Sequence, residues 1–109
     1  MGGDVRVQML SPDEVSDRIG DSQEVLILDV RTEEEWEIHH IPSATLLPMS
    51  SLRGRLAELD PERETIVVCE HGMRSLSVAQ YLITQAGFQN VANMIGGMSE
   101  WTGPVVEGA

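Results

Sequence analysis

Two uninterrupted apolar runs, Val25-Leu26-Ile27-Leu28 and Thr65-Ile66-Val67-Val68-Cys69, constrain the fold of this chain most strongly. A strand with one wet face alternates apolar and polar residues. A run that is apolar throughout expects cover on both faces, as in a parallel sheet with helices above and below. The second run is rich in β-branched residues and reads as the central strand. After it the period changes: Val78, Ala79, Leu82, Ile83 and Ala86 share one helical face, and Gly87 is a natural stop. Strands alternating with helices imply an α/β domain, with ligands expected where strands end and helices begin.

Turn and capping signals divide the rest. Val5–Met9 reads as a short edge strand. Ser11, Pro12 and Glu14 form a helix start with a capping box, and Gly20 is expected to end that helix. Thr32 and Glu35 make a second capping box, opening a short helix through Trp36 and Ile38. Ala44–Leu47 is a strand candidate cut by Pro48, and Ser51–Leu59 reads as a helix ended by Asp60-Pro61. Val91–Ile95 is a further strand candidate, followed by Gly96-Gly97 and a short helix around Met98–Trp101.

At 109 residues the chain fits a single domain, with residues 1–4 and 103–109 read as flexible or peripheral ends. Net charge is −11, and all seven cations are arginine. Such a surface repels nucleic-acid phosphates and anionic lipid headgroups, which argues against both as partners. The lone cysteine, Cys69, rules out an internal disulfide. No apolar run approaches the ~18 residues of a membrane helix, and the first residues lack a signal-peptide pattern, so the cytoplasm is the expected location.

The chemistry concentrates after the central strand. Cys69 ends it, and Glu70-His71-Gly72-Met73-Arg74 leads into a helix expected to begin near Ser75. A short loop joining a strand to a helix N-terminus turns backbone N–H groups inward, and with the helix dipole it forms an anion pocket. A cysteine at its base should ionise below the free value of ~8.5. Gly72 permits positive φ. Arg74 brings a permanent charge to the pocket rim or wall. Ser75 can cap the helix and donate to the sulfur. A sulfur entombed among apolar groups, or amides aimed away from it, would instead make the domain a docking scaffold.

The string Cys69-x-x-Gly72-x-Arg74-Ser75 resembles the active-site loop of rhodanese-like domains. Leu28-Asp29-Val30-Arg31 with Glu34, Glu35 and Trp36, then His40-Ile41-Pro42-Ser43-Ala44, then Ile95-Gly96-Gly97-Met98-Ser99-Glu100-Trp101 resemble three further segments of that family, in order along the chain. The resemblance implies a five-stranded, mainly parallel sheet flanked by helices on both faces. It implies a thiosulfate sulfurtransferase in which Cys69 takes the outer sulfur of thiosulfate or a persulfide donor. The Cys69 persulfide then passes that sulfur to a thiol, cyanide or a sulfur-accepting protein, with no metal or organic cofactor. The amides from Glu70 to Ser75 would hold the persulfide, and Arg74 would steer an anionic donor.

Two rivals belong to other classes. One is a non-catalytic interaction domain, disfavoured because Cys69 and its loop are intact. The other is a phosphatase or arsenate reductase. Phosphotyrosine-type loops place five residues between Cys and Arg, whereas four stand here, from Glu70 to Met73. The smaller ring suits one sulfur better than a phosphoryl group.

The remaining polar residues read as support. Asp29 and Arg31 are expected to hold the loop by an ion pair or hydrogen bonds, and His40 to make a structural hydrogen bond. His71 near the mouth could tune acceptor choice, and Met73 could line the entrance. Trp36 and Trp101 read as packing anchors. Glu70 beside the nucleophile would cost affinity for a small dianion unless its side chain points away. Three histidines and one cysteine lack metal-ligand spacing.

Overall fold

A computed structural model describes residues 6–22 and 24–109. The strands are β1 (Gln8–Leu10), β2 (Leu26–Asp29), β3 (Thr45–Leu46), β4 (Thr65–Val68) and β5 (Val91–Met94), in sheet order β1-β5-β4-β2-β3. Every ladder is parallel, with Leu28 opposite Val67 and Val67 opposite Asn93 across the centre. The helices are α1 (Pro12–Asp21), α2 (Glu33–Ile38), α3 (Leu52–Arg55) and α4 (Met73–Gln85).

The buried runs behave as their composition requires: all four residues of β2, β4 and β5 are buried. Their side chains alternate between two cores. Leu26, Leu28, Val67 and Val91 face Leu52 of α3 and Val78, Ala79 and Leu82 of α4. Ile27, Ile66, Val68, Ala92 and Met94 face Val15 of α1, together with Met98. The sheet is therefore covered on both faces.

Both capping boxes form: Ser11 with Glu14 and Thr32 with Glu35 each exchange side-chain and backbone bonds. Gly87 takes φ 77° just past α4, and the Phe88 N–H reaches back to the Leu82 carbonyl at 3.0 Å. Several boundaries differ from expectation, and four of the differences bear on the fold. The first strand begins at Gln8, not Val5, which lies outside the described residues, as do residues 1–4. Gly20 stays inside α1, which ends at Asp21 with Ser22 as its cap. Residues 51–59 do not form one helix: a 3₁₀ turn at Met49–Ser51, the four-residue α3 and a second 3₁₀ turn at Leu56–Glu58 replace it. Gly54 in the middle disfavours continuous α-helix.

The fourth difference matters most. α4 begins at Met73, with Gly72 at φ 93° as its N-cap. Ser75 is thus in the first turn and not the cap. Beyond the sheet, residues 103–109 run along the periphery. Val106 pairs antiparallel with His40, and the Gly108 N–H bonds the Glu37 carbonyl at 2.8 Å.

Candidate active site

Parallel strands put their carboxyl ends on one edge, and the loop from Cys69 to Gly72 starts there. Cys69 follows β4 directly and is only 1% exposed. Its surroundings are nevertheless not simply apolar. The Gly72 N–H points at Sγ from 3.1 Å and the Ser75 N–H from 3.2 Å, with the Ser75 hydroxyl also 3.2 Å away. Burial pushes the Cys69 thiol up. The Ser75 hydroxyl and the amides of Ser75, Gly72 and His71 outweigh it and bring the thiol below its ordinary value. The sulfur is buried, and the inward amides stabilise its charged form.

The loop rests on a second glycine turn. The Met98 and Ser99 N–H groups donate to the carbonyls of Cys69 and Glu70 at 2.8 and 2.9 Å. A Cβ on Gly97 would stand 2.4 Å from the Cys69 carbonyl oxygen, and its φ is 63°. A Cβ on Gly72 would meet the Gly96 nitrogen at 3.0 Å. Backbone packs on backbone here, and only glycine fits.

Arg74 does not stand free at the rim. Its two terminal nitrogens bind both Glu35 oxygens at 2.9 and 2.8 Å. Glu35 therefore caps α2 and also clamps α4, which ties up the charge expected to steer a donor. Glu35 falls to about 2, first through the Arg74 hydrogen bond, against burial, with help from Thr32. The pair's stabilisation is complete above pH 4.5, the ordinary value, and is lost as pH falls towards 2. Both side chains are partly exposed, so the contribution is ~1 kcal/mol. Glu35→Gln keeps a capping residue but loses the carboxylate. The gap in thermal midpoint between it and the native chain should therefore close across that acid range.

Asp29 and Arg31 form the predicted ion pair, fully buried, with Nη2 to Oδ2 at 2.9 Å and Nε to Oδ1 at 3.0 Å. Arg31 also donates to the His39 carbonyl at 2.8 Å and to Glu70 Oε1 at 3.1 Å. Burial pushes Arg31 down, but Asp29 and then Glu70 outweigh it and hold it above its usual value. Glu70 is thus anchored to a buried cation. His40 bonds the Trp36 carbonyl through Nδ1 at 2.8 Å and stacks on the Trp36 ring, with centroids 3.5 Å apart. His71 is exposed in the loop, and Met73, the first residue of α4, is 72% exposed. Trp101 packs against the α1-side core.

Sequence reasoning missed Asn93. It is buried on β5, accepts from the Ser75 hydroxyl and donates to the Gly72 carbonyl at 3.2 Å. The available signal was a polar residue inside an apolar strand, at the same parity as Val91, which faces α4. Among the described residues, no group of three or more metal-ligating side chains comes together, and no helix is long and apolar enough to cross a membrane.

Comparison with known proteins gives consistent findings. A family profile described as "Rhodanese-like domain" matches residues 11–104. A sulfurtransferase of Allochromatium vinosum is 34% identical over 95 residues, covering 87% of this chain and 88% of the relative. A protein of Coxiella burnetii named thiosulfate sulfurtransferase GlpE is 39% identical over 79 residues, covering 72% of this chain and 73% of its own length. The crystal structure of a rhodanese-like domain protein from Staphylococcus aureus superposes with a TM-score of 0.84 at 31% identity, covering 94% of this chain and all of that one.

Proposed function

The chain belongs to the rhodanese-like domain family, and we propose that it transfers sulfane sulfur through a persulfide on Cys69. The observation that carries this reading is the pair of main-chain amides, Gly72 and Ser75, aimed at a buried sulfur at the head of α4. The Cys69 thiolate attacks the outer sulfur of thiosulfate. A new S–S bond forms as the donor's S–S bond breaks, and sulfite leaves with the electron pair. An acceptor thiolate or cyanide then attacks the outer sulfur of the persulfide, and the Cys69 thiolate departs. Two half-reactions through one covalent intermediate predict ping-pong kinetics. We take the whole chain as one such domain, with no resident cofactor.

The donor is the finer question. Asp29 and Glu70 share Arg31, so that cluster still sums to one negative charge, and Arg74 is neutralised by Glu35. This favours a persulfide donor, carried by a small molecule or by a protein, over the thiosulfate dianion. Glu70→Gln should lower the apparent KM for thiosulfate, a dianion, a few-fold at low ionic strength and lower that for a monoanionic persulfide donor by less. An unchanged thiosulfate KM would remove Glu70 as an obstacle. The sulfur-loading step itself is read by intact-protein mass spectrometry with both donors, as a gain of about 32 Da, one sulfur atom. No gain with either donor would return the domain to the interaction reading.

A further inference from the structure

Asn93 is buried and bonds Ser75 and Gly72, two neighbours of the sulfur, and these bonds determine where one proton near the sulfur sits. The Gly72 carbonyl can only accept, so the nitrogen of the Asn93 amide must face it. The Asn93 oxygen therefore faces Ser75, and the Ser75 hydroxyl, which has a single proton, donates to it. Towards Cys69, 3.2 Å away, that hydroxyl then offers only a lone pair. This arrangement suits a neutral Sγ. When Sγ is a thiolate, the Ser75 proton has to turn to the sulfur, and the buried Asn93 oxygen loses its partner, which disfavours that state.

We propose that Asn93 is a positioning residue that competes with Cys69 for the Ser75 proton and so favours the states in which Sγ carries no charge. The proposal rests on the persulfide reading for its consequence. In a persulfide the charge sits on the outer sulfur, Sγ is neutral, and the Ser75 proton returns to Asn93. Asn93 thereby tilts the enzyme from free thiolate towards the loaded form. Its second bond holds the Gly72 carbonyl away from the sulfur, which leaves the N–H groups of the turn facing inward.

The test is a double-mutant cycle of Asn93→Leu and Ser75→Ala, read by ultraviolet titration of the Cys69 thiolate. Arg31, Glu70, His71 and Arg74 remain in every arm, so the charged surroundings of the sulfur are constant. Asn93→Leu frees the Ser75 proton and should lower the Cys69 pKa by about one pH unit, an effect absent in the Ser75→Ala background. An unchanged or raised pKa, or an equal shift in both backgrounds, would overturn the proposal. The native chain supplies a measurement that needs no variant. The Asn93 side-chain amide resonances should shift at the Cys69 pKa, and resonances that stay still through that titration count against the proton exchange. None of these readouts involves a sulfur donor. A chain that passes them but takes up no sulfur would refute the transfer reading alone.

Discussion

Cys69→Ser is expected to abolish both the gain of about 32 Da and the transfer of sulfur to any acceptor. The amides of Gly72 and Ser75, which bond the sulfur in the native chain, remain in place. What goes is the nucleophile. A serine hydroxyl is not ionised by two amides and a helix N-terminus, and oxygen cannot form the S–S bond that carries the sulfur. The fold should survive, because the new hydroxyl can accept from the same two N–H groups and is smaller than the thiol. Equal thermal midpoints with activity at the uncatalysed rate are the expected pair of results. Residual loading at another residue is excluded by composition, since the chain has one cysteine. A Cys69→Ser chain that still turned over thiosulfate would place the chemistry elsewhere, and the amide-lined sulfur would have no catalytic part.

Much of this arrangement was legible in the sequence, because its causes are local. A run of consecutive apolar residues demands two covered faces, and β2 and β4 have them. Capping boxes act over three residues, and both formed where Ser11 and Thr32 stood three before a glutamate. The loop's chemistry followed from Cys69, Gly72 and a helix starting close behind. The start itself was misplaced, because Gly72 adopts φ 93° and caps α4 with no side chain at all, leaving Ser75 to face the sulfur from inside the first turn. What was illegible depends on chain topology. Arg74 meets Glu35 from 39 positions away, and Glu70 meets Arg31 across the same separation. Glu35 was assigned one local task and has a second, distant one. The Gly96-Gly97 pair gave no local reason for itself. For Gly97 the reason is the Cys69 carbonyl pressed against it, which only the closed sheet brings there, while Gly96 takes φ 77° beside the Glu100 side chain.

Arg31→Met should destabilise the chain by ~3–5 kcal/mol, because it leaves Asp29 buried and charged with no cation beside it. Methionine fills much of the side-chain volume, so the loss is electrostatic more than steric. Among the described residues, the donor left to the Asp29 carboxylate would be the Arg31 backbone N–H at 3.1 Å. It would then have to stay ionised at a large desolvation cost or take up a proton. The double replacement Asp29→Leu with Arg31→Met separates this cause from packing. It removes the stranded charge, so it should unfold later in urea than Arg31→Met alone, in contrast to the additive behaviour of independent sites. The His39 carbonyl also loses a donor in both variants, so the double variant should recover only part of the loss. A second readout reports on function. Glu70, next to Cys69 in the chain, loses its cation in either variant, and the unneutralised carboxylate should raise the Cys69 pKa and slow alkylation of the thiol. If the double variant proved less stable than the single, the ion pair would be acting through shape and hydrogen bonding to the His39 turn. The charge of Asp29 would then not be what Arg31 is buried to satisfy.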